Sequence, residues 1–181
     1  MLSFLGIDKV IELIWIIPIS FFIHELEEWN ILRWYKKYYK NLPESTNLSI
    51  RLWIVFISIL IFLLISLAYV LKSTFIFSIL VIFITTFIIV NTIQHFILTF
   101  QFKTYSHGLI TALLCTICTT YVNVVFIING LLLTPFYIIF ALSFLPIINT
   151  LKAKNEMTSE VRWAHEIGIL IEKAIMKIIK I

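Results

Sequence analysis

The chain reads as an all-α, polytopic membrane protein, with about five transmembrane helices in one bundle and a C-terminal amphipathic helix at the interface. Three observations predict it. Hydrophobic residues make up 61% of the 181 and charged ones 13%, with a mean hydropathy of +1.03; this is more apolar surface than a soluble domain of that length buries in one core. The apolar segments follow one another closely, and 4 Gly and 4 Pro leave no room for a long flexible linker. Neither an alternating strand pattern nor a repeat of about 20 to 50 residues is visible, so a β-barrel is not expected.

A bilayer core about 30 Å thick needs roughly 20 apolar helical residues per crossing. The first crossing is the unusual one. Residues 10–23 hold only 14 residues and already include Glu12, so membrane length is reached by continuing through the stretch HELEE to Trp29, a span of 20. The rival placement, 2–23, would bury Asp8, Lys9 and Glu12, at about 2.5–3.5 kcal/mol for each Asp or Lys at a helix centre. The start lacks a basic region and a small-residue cleavage site, so a cleavable signal peptide is not expected. The second crossing spans 52–71. The third, 75–100, is long enough to tilt, and the fourth spans 109–128. After the turn at Asn129 and Gly130 the fifth takes 131–148, with Pro135 and Pro146 near its ends. Together these form one domain, 1–150. The remainder, 151–181, is a tail whose apolar residues recur at near-helical spacing with Lys173, Lys177 and Lys180 on the polar side, as expected of a helix lying along the cytoplasmic surface. His165 and Glu166 are expected on its solvated face.

Charge sets the orientation. Arg33, Lys36, Lys37, Lys40 and Arg51 lie between the first two crossings, Lys103 between the third and fourth, and Lys152, Lys154, Arg162, Lys173, Lys177 and Lys180 after the fifth. Only Lys9 and Lys72 fall on the other side, which places the N-terminus outside and the C-terminus in the cytoplasm. The same bias accounts for the pI near 9.1, with no need for a nucleic-acid partner.

In this topology His24, Glu27 and Glu28 sit toward the cytoplasmic end of the first helix. Asn91 and His95 sit toward the same end of the third, and His107 lies where the fourth enters. At 100° per residue, Glu27 is about 60° to one side of His24 and Glu28 about 40° to the other, so these three share a face while Glu25 points elsewhere. Ionisable groups at membrane depth are costly unless they pair, bind an ion or face water, so two polar patches at one depth are expected to meet.

Imidazole and carboxylate are the usual ligands of Zn²⁺, Mn²⁺ and Fe²⁺. His24 with Glu27 or Glu28 offers two from one helix, His95 a third and His107 a fourth, which leaves the other carboxylate free as general base on a metal-bound water; with Glu28 as the ligand that base is Glu27. The spacing is not that of the zinc proteases. Two other readings stay open: a metal-free proton-transfer or substrate-binding site, and a packing network that locks helix one to helix three. For His107, beside a possible N-cap at Ser106, the alternative is a helix start at the interface.

HELEE, then N-T-I-Q-H, then a Gly-led helix resembles the HXXEE proteins, a bacterial membrane family named for that motif. The resemblance runs from Val10 to about Ile148 and is specific at His24, Glu27, Glu28, Asn91, His95 and Gly108. It implies a multi-pass protein of the bacterial cell membrane and no established activity. The family more often has Pro before the glycine, so His107 departs from it. More loosely, the Glu pair, Arg33 and N-x-x-x-H are similar to the CAAX-protease-like intramembrane proteases, whose glutamate activates water, although there the arginine follows more closely and the bundle has more helices.

Other features read plainly. Trp29 to Lys40 interleaves aromatics with cations, as expected of a segment under anionic headgroups. Gly108 and Ala112 allow close helix packing. Cys115 and Cys118 spell C-x-x-C, but inside a crossing and without a second pair they are not expected to bind zinc. Two functions follow as expectations. One is an enzyme, a metal-dependent hydrolase or lipid-modifying enzyme, acting on a lipid or other amphipathic substrate reached from the cytoplasmic leaflet. The other is a small ion- or proton-coupled transporter or sensor, which would need polar residues reaching the far side; helices two and five offer little beyond Ser, Thr and Tyr.

Overall fold

The computed structural model describes residues 6–71, 74–150, 157 and 159–179, which form helices and connecting turns with no strand among them. Lys72, Lys152, Lys154 and Lys180 of the charge pattern lie outside these residues. The chain opens with α1 (Ile7–Ile11), a 3₁₀ turn (Glu12–Trp15) and α2 (Ile16–Glu27) in one unbroken helical run. Pro18 explains the tight turn: it has no N–H for the Ile14 carbonyl, and its ring crowds that carbonyl, so the turn before it winds as 3₁₀. The run therefore starts at Ile7, earlier than expected, and includes Asp8 and Lys9, both exposed.

After α3 (Leu32–Tyr38) comes α4 (Asn47–Leu71). It begins five residues before the expected start at 52, because Thr46 and Ser49 cap each other: Ser49 N–H donates to Thr46 Oγ1 and Thr46 N–H to Ser49 Oγ, both at 3.0 Å. Then α5 (Thr74–Phe102) and α6 (Leu109–Ile128) follow close to their expected bounds. Leu131 N–H closes the end of α6 onto Phe126 O at 2.9 Å. The next helix, α7 (Pro135–Thr150), starts at the proline rather than at 131, since Pro is suited to a first helical turn. Last comes α8 (Ser159–Ile179). Three of these helices, α4, α5 and α6, are long and apolar enough to cross a membrane.

The helix α2 packs along α6 and α4, while α5 packs against α6, α7 and α4. Two apolar clusters result. The larger gathers Phe21, Ile65, Val81, Ile88, Val122 and Phe126. The smaller gathers Ile31, Leu32, Trp34, Tyr39, Ile54 and Leu98. The polar residues of α2 and α5 fall between them. Outward faces carry a belt of exposed side chains such as Phe56, Leu63, Phe83 and Ile117, suited to lipid. Inside the helices, Ser58, Thr85, Thr86 and Thr92 donate to carbonyls one turn back, so these hydroxyls are satisfied without water. The segment from Trp29 to Lys40, expected under headgroups, packs inward as well: Trp34 is buried among Tyr35, Tyr38, Tyr39 and Phe102.

The amphipathic α8 rests on α4. Gly168 makes this possible, because a Cβ there would collide with the Ser49 carbonyl. His165 is not on a solvated face as expected. It is 1% exposed, with Nδ1 2.6 Å from Ser45 Oγ and its ring 5.3 Å from that of Tyr35. Burial pushes its pKa down to about 4, so it is neutral at pH 7. Glu166 is exposed, as expected. Gly168→Ala is expected to cost about 1–3 kcal/mol, as overpacking against rigid backbone does. The measurements are thermal unfolding in detergent and trypsin cleavage of the tail; an unchanged midpoint and cleavage rate would show that docking does not need the close approach.

Candidate functional site

Where the end of α2 meets α5 and the start of α6, two buried imidazoles and a partly buried carboxylate converge. His24 and Glu28 are one turn apart on α2, and His95 comes from α5; His24 and His95 are 1% and 3% exposed. One ligand atom from each lies within 4.8 Å of the others. Glu28 Oε1 stands 2.7 Å from His95 Nε2 and 3.9 Å from His24 Nε2. The two rings are nearly perpendicular, with centroids 5.2 Å apart.

Neighbours orient both imidazoles. His24 Nδ1 is 3.3 Å from Thr111 Oγ1 and its Nε2 is 2.7 Å from Asn91 Nδ2. With the proton on Nδ1 donated to Thr111, Nε2 presents its lone pair, which accepts from the Asn91 amide. His95 Nδ1 is 3.1 Å from Ser106 Oγ; donating there likewise leaves the Nε2 lone pair facing Glu28. The 2.7 Å separation is within ion-pair reach, and no other group bonds His95 Nε2. Two acceptors at this distance need a proton or a cation between them. This is how outer groups fix the tautomer of metal-binding histidines.

Glu27 does something different from the general base expected of it. Its carboxylate accepts from the Thr111 N–H at 3.1 Å, from the Thr111 hydroxyl and from the Tyr105 hydroxyl. It therefore satisfies the open N-terminus of α6, where a negative charge is favoured. Gly108, expected near the site, is the N-cap of α6 with φ +98°. A Cβ there would sit 2.7 Å from Glu28 Oε1 and 2.8 Å from His95 Cε1, so glycine is needed for backbone conformation and for room alike. Ser106 is not the cap suggested by sequence. It is buried, and it positions His95.

His107 stands apart from the cluster. It lines a separate cleft of about 490 Å³ with Arg33, Lys37, Asn30 and Asn47, a cationic lining suited to the membrane surface. Glu25 does not simply point away either. It is 6% exposed and faces a second cavity, of about 320 Å³, whose wall also includes Glu28, Asn91 and His95. Ser106, Thr111, Tyr105 and Glu25 were thus missed by sequence reasoning. Only Thr111 left a signal, one turn after Gly108 on the helix it opens. Cys115 and Cys118 are free thiols.

A family model described as protein of unknown function with HXXEE motif matches residues 15–123, a span that holds the whole cluster. The chain belongs to the HXXEE family. No curated protein and no solved structure matches it. In this HXXEE protein the motif divides its work: His24 and Glu28 face the cluster, while Glu27 ties α2 to α6. Gly108→Ala is expected to lower stability by about 1–3 kcal/mol, the usual cost of a non-glycine residue held at such φ. Thermal unfolding in detergent checks this, and a midpoint equal to wild type would mean the loop relaxes freely.

Proposed function

We propose that this HXXEE protein holds a divalent ion, Zn²⁺, Mn²⁺ or Fe²⁺, at His24, Glu28 and His95, and acts as a metal-dependent hydrolase or lipid-modifying enzyme on an amphipathic substrate. The approach of His95 Nε2 to Glu28 Oε1 carries the reading: a buried ring nitrogen 2.7 Å from a carboxylate oxygen, with a second imidazole alongside. Three protein ligands and an open position are the pattern of catalytic rather than structural sites. Drawing all three onto one ion needs a modest rotation, since ligands about 2.0–2.1 Å from a metal cannot be as far apart as 4.8 Å. Asn91 would release His24 Nε2 in that step and remain beside it. An ion there supplies a Lewis acid for an ester, amide or phosphoester group. Because the oxygens of Glu27 are occupied at α6, the proton-accepting role falls to Glu28, which lines the adjoining cavity.

The reading includes five crossings, with the shorter α2 and α7 completing the bundle, the N-terminus outside, and α8 along the cytoplasmic surface of a bacterial membrane. The charge bias supports this orientation. A reporter fused at the C-terminus is then expected to be active only on the cytoplasmic side, and activity outside would reverse the topology.

One observation favours the alternative, a proton-coupled transporter or sensor. Thr111, Cys115, Thr119 and Asn123 recur every fourth residue along α6. Ser20 contacts Cys115, and Asn123 donates to Thr85 and accepts from Tyr137. This polar run leads from the cluster toward the far end of the bundle. Elemental mass spectrometry of the purified protein separates the two. Stoichiometric Zn, Mn or Fe, lost in both His24→Ala and His95→Ala, is the expected result. Wild-type protein that stays metal-free after reconstitution would leave the proton-transfer or packing readings.

A further inference from the structure

The cavity of about 320 Å³ beside the cluster has a chemistry of its own. Most of its wall is apolar, supplied by residues such as Ile57 of α4, Phe87 and Leu98 of α5, and Val161 and Ile167 of α8. Glu25 faces into it. That carboxyl belongs to a residue only 6% exposed, and none of the hydrogen bonds or ion pairs among the described residues engages it. A carboxyl so placed needs a donor or a counter-charge, and the open cavity is where one can enter. The lining includes neither Lys nor Arg to supply that counter-charge, and its other polar members, Tyr35, Asn91, Gln94 and His95, carry no fixed positive charge. A phosphate or carboxylate head would instead face Glu25 and Glu28 without a cation.

The walls and size narrow the occupant further. Tyr35, Trp53, Phe87 and Trp163 line the cavity, and aromatic faces attract cations. The volume lies at the low end of small-molecule sites, about 300–1,000 Å³, which suits one alkyl chain and not a two-chain lipid. Trp163, 63% exposed, marks the mouth beside α8.

We propose that this cavity binds a single-chain amphiphile with an amine head, its ammonium held by Glu25 and its chain lying between α4, α5 and α8. As the substrate class of the metal site this rests on the proposed function; as a binding site it stands on the cavity alone.

The test uses the full chain in phosphatidylcholine nanodiscs, stripped of metal with a chelator so that the outcome does not depend on the ion. Dodecylamine brominated at its chain end is titrated while tryptophan quenching is followed, beside the carboxylate and the alcohol of the same chain. Saturable quenching by the amine, with weaker or absent quenching by the other two, is expected. Glu25→Gln should weaken it about tenfold or more, as loss of a charged hydrogen-bond partner does, with thermal unfolding unchanged. Val161→Trp, on a different helix, should abolish it by filling the cavity. Equal binding of the three heads, preference for the carboxylate, or full amine affinity in Glu25→Gln would overturn the role of Glu25. Absence of saturable quenching in wild type would overturn the site. Amine binding by a protein that never takes up metal would keep this inference and remove the enzyme reading.

Discussion

The contact between Glu28 and His95, with His24 across from them and Gly108 pressed against both, is the constraint around which this end of the molecule is built. An imidazole pair and a carboxylate cannot be withdrawn from water unless each polar atom has a defined partner. A threonine and a serine engage the outward Nδ1 atoms of the two rings, and Asn91 engages Nε2 of His24. The protein also opens α6 with a residue that has no side chain. The paths of α2, α5 and the 103–108 loop follow from those requirements. Apolar packing above and below, around Phe21 and Ile88 on one side and Leu98 and Ile31 on the other, holds the polar layer in place.

Within five residues, HELEE performs separate tasks because a helix turns each side chain to its own direction. His24 and Glu28 meet α5. Glu27 reaches the N-terminus of α6, where three donors converge. Glu25 enters the cavity beneath α8. The motif is therefore as much a joint between helices as a source of ligands, and removing either function disturbs the other. This coupling explains why a glycine 80 positions after Glu28 belongs with it: the backbone of Gly108 lies where the Glu28 and His95 side chains pass.

The C-terminal helix contributes to the site from outside the bundle. Its docking on α4 through Gly168, His165 and Glu172 places its apolar side as one wall of the cavity. A segment that reads as a surface float thus becomes part of an enclosure. His165 shows how: a histidine in a polar-looking dipeptide is buried because Tyr35 and Ser45 meet it from the other side of the contact.

Helix content, the three long apolar helices α4, α5 and α6, and the pairing of His24 and Glu28 with Asn91 and His95 were legible in the chain, because periodicity and hydropathy are local properties. The bounds of α6 and nearly those of α5 could be read for the same reason. The starts of α4 and α7 were not, since a threonine cap and a proline decided them residue by residue. What only tertiary structure decided was which polar groups work together. It took Glu27 out of the cluster and set His107 in another cleft. It brought Ser106 to His95 and turned Glu25 toward a cavity. Such assignments depend on groups far apart in sequence arriving at one place, and no spacing along a single helix records that arrival.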